Sequence, residues 1–152
     1  MTQEEKELLL KDLCARLPYG VKAKIREEGV LSYDSGIGVI VGKEHADNEI
    51  FTLQCKNDGW CLTAISEFVP YLRPMSSMTK KEYETFPIPY SFDSFSTWNN
   101  TILSKVIEGT QILIGIGEIT EIIDWLNAHH FDYRGLIEKG LALEAPEGMY
   151  KN

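Results

Sequence analysis

Along the first seventeen residues apolar side chains recur at helical spacing. Leu9, Leu13 and Leu17, with Leu10 and Cys14 beside them, form one stripe, the repeat that an α-helix lays along a single face. Thr2 offers an oxygen to the first free amides, and Glu5, three residues on, returns a carboxylate to the Thr2 amide, the reciprocal pairing of a capping box. Pro18 lacks an amide donor and restricts Leu17, so the helix is predicted to stop there. From Val21 the period drops to two: Val21, Ala23 and Ile25 alternate with Lys22, Lys24 and Arg26, a strand with one face in and one out. Further short strands are predicted at Val30–Tyr33, Gly38–Val41, Glu49–Cys55 and Trp60–Ala64. Turn residues at Glu28-Gly29, Asp34-Ser35-Gly36, His45–Asn48 and Asn57-Asp58-Gly59 separate them. Strands this short and evenly spaced suggest a small curled antiparallel sheet or barrel, SH3-like or otherwise barrel-like, at roughly Pro18 to Pro74. The segment VPYLRP, Val69 to Pro74, carries two prolines that cannot donate to a central ladder, and is predicted to leave the sheet.

The second half changes character. Thr79 and Glu82 repeat the capping-box spacing and open a short helix that ends before Pro87. Six aromatics follow closely: Tyr83, Phe86, Tyr90, Phe92, Phe95 and Trp98. Thr101 to Ile116 reads as helix or strand, with Gln111–Ile114 the better strand candidate. Ile119, Ile122, Ile123 and Leu126 then define an amphipathic helix from Glu118 to Ala128, with Glu118 and Glu121 near its positive end. No internal repeat relates the halves. The expected fold is α+β in a single compact domain, 1–152. Its sub-halves are an N-terminal helix plus small barrel over 1–74 and a mainly helical half over 75–152.

Charge narrows the partners. The chain has 152 residues, 15 Lys+Arg against 23 Asp+Glu, a formal charge of −8 and 43% hydrophobic residues, a composition suited to a globular core. With a pI near 4.9 its surface repels phosphate backbones over a Debye length of about 8 Å, which argues against sequence-independent nucleic-acid binding. No basic region precedes an apolar core at the N-terminus, and the longest strongly apolar run, Ile112–Ile116, is far too short to span a bilayer. Three cysteines, Cys14, Cys55 and Cys61, without a CxxC pair, fit a reducing cytoplasm.

Candidate chemistry is sparse. His129, His130 and Asp132 are potential first-row metal ligands, but they lack a third partner motif and lie where histidines commonly cap a helix end. No metal and no cofactor are therefore expected. A Cys/His nucleophile pair drawn from Cys14, Cys55 or Cys61 with His45, His129 or His130 competes with cysteines acting as buried small hydrophobes. The glycine patterns Gly36-x-Gly38 with Gly42, and Gly115-x-Gly117, match neither phosphate-loop fingerprint, and no GxSxG elbow is present. No catalytic residue is expected. The aromatic stretch Tyr83–Trp98, interleaved with Ser91, Asp93, Ser94, Ser96, Asn99 and Asn100, reads either as core or as a contact surface.

Three segments, LLLKDLCARLPYG (8–20), PYLRPMSSMT (70–79) and DWLNAHHFDYRGLIEKGLALEAPEGMY (124–150), together 50 residues, resemble a family of short proteins encoded by Bacteroidales-type gut anaerobes and by their phages and mobile elements. The resemblance brings no activity, cofactor or site residue with it. It implies a setting, in which short acidic proteins act by binding host or phage macromolecules or by sequestering nucleotides. The expectation is a non-enzymatic, cytoplasmic binding or adaptor protein with a protein partner. Its surface would include Tyr90, Phe92, Trp98 and the loop with His129, His130, Asp132 and Arg134. Aromatics would supply buried area and Arg134 a planar fork for carboxylate or phosphate. The alternative is a small anionic-ligand protein or minor hydrolase with a pocket between the halves. A third reading, mimicry of nucleic acid, rests on the net charge alone, and the scattering of its acids favours a solvated surface.

Overall fold

Capping, not length, starts the first helix. In the computed structural model, which describes residues 1–26, 36–44, 49–55, 59–87 and 116–150, α1 runs from Gln3 to Arg16 behind a complete Thr2–Glu5 capping box. A 3₁₀ turn, Leu17–Tyr19, follows and ends on Gly20 in the left-handed region, where a residue without Cβ costs least. The buried face of α1 is Leu9, Asp12, Leu13 and Arg16. Cys14, expected on the apolar stripe, is instead exposed. An ion pair, rather than the cysteine, completes the inward face.

Five antiparallel strands follow: β1 (Lys22–Ile25), β2 (Ile37–Lys43), β3 (Ile50–Gln54), β4 (Trp60–Ala64) and β5 (Phe68–Leu72). A last short strand, β6 (Leu143–Glu144), pairs parallel to β5, giving the order β4-β3-β2-β1-β5-β6. Among the described residues the sheet is mixed and not closed, with β4 and β6 at its edges, where a small, wholly antiparallel, barrel-like sheet was expected. Gly38 lies beneath Leu53, whose Cβ and Cδ2 would stand 3.3 and 3.2 Å from any added Cβ, so this glycine serves strand packing. The strand expected at Val30–Tyr33 and the one at Gln111–Ile114 fall outside the described residues.

The VPYLRP segment does not leave the sheet: β5 is an interior strand between β1 and β6. The amide of Arg26 donates to the Glu67 carbonyl at 2.8 Å, and antiparallel alternation then puts Lys24 and Val69 in the bonded pair. Pro70, opposite Ala23, falls at a non-bonded position. Its missing N–H therefore breaks no bond to β1, and pairing with β6 begins only at Tyr71.

The second half supplies a 3₁₀ turn (Met75–Ser77), α2 (Lys80–Glu84) behind a complete Thr79–Glu82 capping box, and α3 (Ile116–Ala128). Beyond α3 the described chain is turns and β6 rather than more helix, because Gly135 and Gly140 adopt φ of +68° and +70°, conformations that end helical runs. Two apolar clusters result. The larger joins α1 and the sheet's inner face to Leu136, Leu141 and Ala142. The smaller joins Met78 and Phe86 to Ile122, Leu126 and Phe131.

Candidate functional site

Four of the residues singled out from the sequence meet at the end of α3, and local backbone rules put them there. His130 has φ +60°, its amide donates to the Asn127 carbonyl, and the Phe131 amide donates to the Leu126 carbonyl. That is a Schellman motif with a histidine at the left-handed position, sealed by the apolar contact of Phe131 with Leu126. His129 Nδ1 lies 2.8 Å from the Trp125 carbonyl oxygen and its ring stacks on Trp125. Asp132 accepts from the amides of Leu136 and Ile137 through its two oxygens, and its own amide donates to the Arg73 carbonyl. The carboxylate thus orders the turn that follows it.

Charge concentrates beside this turn. Asp12 and Arg16, both fully buried, join through Arg16 Nε to Asp12 Oδ2 at 2.7 Å, and Arg16 Nη2 also donates to the Phe131 carbonyl. Arg134 Nε stands 3.1 Å from Asp12 Oδ1, an ion-pair distance without hydrogen-bond alignment. The two guanidinium carbons lie 5.2 and 4.9 Å from the Tyr133 ring centre, and the Tyr133 hydroxyl donates to Asn127 Oδ1. One carboxylate therefore serves two guanidiniums that share an aromatic ring. His130 packs on Tyr150; burial first, then the positive charges of Arg16, His129, Arg73 and Lys22, push its pKa down to about 4. The imidazole is neutral at pH 7.

These bonds commit the Asp12 and Asp132 carboxylates to the fold, while Arg16 Nη1, His130 Nδ1 and Arg134 Nε are buried without a hydrogen bond among the described residues. Removing one partner of a buried pair costs about 3–5 kcal/mol, so an anion drawing the fully buried Arg16 away from Asp12 would have to exceed that. Among the described residues no group of three or more His, Cys, Asp or Glu is placed to hold a metal ion. Tyr90, Phe92 and Trp98 lie outside the described residues, as do His45 and Gly115.

A cleft of about 240 Å³ does lie between the halves, lined by Leu9, Ile65, Phe68 and Leu141 with Glu5, Arg26 and Lys139 among its polar residues. Its volume is below the roughly 300–1,000 Å³ of ordinary small-molecule sites. The Glu5 carboxylate is bonded to the Thr2 amide and shares the lining with Arg26 and Lys139.

The surface that sequence reasoning missed is on β4. Trp60 and Leu62 are 65% and 64% exposed, while Thr63 between Leu62 and Ala64 is buried. The amide of Cys55 donates to the Gly59 carbonyl and that of Ile65 to the Glu49 carbonyl. Alternation along the ladder then aims the backbone groups of Trp60, Leu62 and Ala64 away from β3; those of Ala64 bond to Glu67, and among the described residues no strand lies on the side that Trp60 and Leu62 face. A signal was available: Phe51 and Leu53 pair with Thr63 and Cys61, so Trp60 and Leu62 must occupy the opposite face. No helix among the described residues is long and apolar enough to cross a membrane. Compared with protein-family models, curated proteins and solved structures, the chain matches none.

Proposed function

We propose that this chain is a non-enzymatic binding protein that takes an extended segment of a partner protein along the edge of β4. The observation that carries the reading is a strand with one open side whose outward side chains are an exposed tryptophan and leucine. An open edge offers backbone donors and acceptors to an added strand, and alternate side chains of that strand find purchase on apolar neighbours. Val41, at the bulge between Ile40 and Gly42, and Ile37 extend the exposed apolar surface on β2. The acidic net charge suits a protein partner better than nucleic acid, and the resemblance to phage and mobile-element proteins suits a macromolecular partner in the cytoplasm. The reading replaces Arg134 as an anchor, since that side chain is held at Asp12.

Selection of displayed random peptides against the full chain tests it. Selected peptides are expected to alternate β-branched or aromatic residues with polar ones and to slow hydrogen exchange at the amides of Trp60 and Leu62. Leu62→Lys, at an exposed position, should leave the melting temperature in place and weaken those peptides at least about tenfold, the loss of roughly 1.4 kcal/mol. Peptides that protect other amides, or that bind Leu62→Lys equally well, would refute the β4 assignment.

A further inference from the structure

We propose that Cys55 and Cys61 form a reversible dithiol–disulfide couple, a modification site oxidised by low-molecular-weight disulfides. The ladder brings them together. Cys61 is paired with Leu53 on β3, and the amide of Cys55 bonds to the Gly59 carbonyl just beyond the strand ends. The two cysteines therefore flank the Gln54–Trp60 pair on the same, inward face of the sheet. Their sulfurs are 3.2 Å apart, with no disulfide joining them. Closing to the about 2.05 Å of a disulfide requires a further approach of roughly 1 Å, within reach of side-chain rotation and a small adjustment of a hairpin end.

The surroundings fit exchange chemistry rather than inert packing. Both side chains are half-buried, so a small disulfide can reach them. The Thr63 hydroxyl donates to Cys61 Sγ at 3.6 Å and Cys61 Sγ donates to the Leu53 carbonyl at 3.7 Å, contacts that hold this sulfur facing Cys55. Cys61 as thiolate attacks one sulfur of the small disulfide RSSR, forming a mixed disulfide and expelling one RS⁻. Cys55, adjacent, then attacks Cys61 Sγ, forming the Cys55–Cys61 bond and expelling the second RS⁻. The two protons lost by the cysteines end on the two released thiols, and the two electrons lost by the protein reduce the small disulfide. A second thiol at 3.2 Å acts at a high effective concentration, so the mixed disulfide is short-lived. Cys14, exposed on α1, lies on another element and serves as the internal contrast.

The test uses the full-length Cys14→Ser protein in glutathione buffers of graded ratio, followed by acid quench and intact mass measurement. The expected result is one transition with a two-electron slope, in which the protein loses the mass of two hydrogens and retains no glutathione. Because Lys56 lies between the two cysteines, trypsin should then give two peptides that stay joined until reduction. Cys55→Ser and Cys61→Ser, each in the same background, should hold a glutathione adduct at least about tenfold longer than the parent. Persistent single adducts on the parent, or two thiols still reduced in buffer containing only oxidised glutathione, would overturn the assignment, and neither readout depends on the serine variants folding.

Discussion

At His130 a titratable ring occupies a position whose backbone demands φ near +60°, and the two requirements can be separated by substitution. The ring is 6% exposed and surrounded by Arg16, Arg73, Lys22 and His129, with Tyr150 stacked on it. Folded, it accepts a proton only near pH 4; unfolded, near the ordinary 6.5. Between those values the unfolded chain binds more protons, so stability falls as pH drops through 6.5, and the loss is complete below about 4. The full effect is about 3 kcal/mol. His130→Asn keeps a residue type that tolerates the left-handed region and removes the titration. Urea unfolding across this range should show the wild type losing more stability than the variant on acidification; coincident profiles would mean that the folded ring takes up its proton as easily as the unfolded one. The sequence pointed to His129–Arg134 because polar residues cluster there, but it left Asp12 and Arg16 unremarked. Their register with Leu9 and Leu13 was the available sign that an i, i+4 ion pair shares the buried face.

Elements held by local rules were the legible ones. Both capping boxes formed at the expected residues, and β4 spans Trp60–Ala64 as expected after the turn residues Asn57-Asp58-Gly59, since caps and turns are written within a few residues. β5 and β6 were not legible, because Pro70 is harmless only in a register set by Arg26 and Glu67, and β6 exists only through pairing with β5 some seventy residues earlier. The same long-range closure makes a prediction at Tyr150. Its hydroxyl accepts from the Lys22 amide on β1 at 3.0 Å and donates to the Tyr71 carbonyl on β5 at 2.8 Å, while Lys22 Nζ donates to the Met149 carbonyl. Burial pushes the phenol up to about 12, so it remains protonated and able to donate at any ordinary pH. Tyr150→Phe keeps the ring on His130 but leaves two part-buried backbone groups without this partner, a cost of about 1–3 kcal/mol. Thermal unfolding should register that loss, and the Lys22 amide should exchange faster with solvent than in the parent. An unchanged melting temperature would show that water replaces the hydroxyl without penalty.

For the molecule as a whole, the boundary near Pro74 that composition suggests divides the sequence but does not divide the core. Leu136, Leu141 and Ala142 from the second half lie in the same apolar cluster as Leu9, Leu13, Phe68 and Leu72 from the first. Across the same boundary Phe131 accepts from Arg16, and Arg73 exchanges backbone bonds with His130 and Asp132. A fragment comprising residues 1–74 would keep β1 to β5 but lose the cover over the inner face, the carbonyl that receives Arg16 and the strand beside β5. Leu13 and Leu72, at most 1% exposed in the intact chain, would meet water, and Arg16 would retain its charge with one buried acceptor fewer. A chain of that size buries only about 60% of its unfolded surface at best. Conformational entropy of about 1–2 kcal/mol per residue then goes largely unopposed. The 1–74 fragment is therefore expected to lack a cooperative urea transition and to show poorly dispersed amide resonances, whereas addition of a 75–152 fragment should restore dispersion. A cooperative transition in 1–74 alone would mean that the helix and five strands carry a sufficient core without Leu136 and Leu141, and that the C-terminal segment is an attached layer instead of a structural wall.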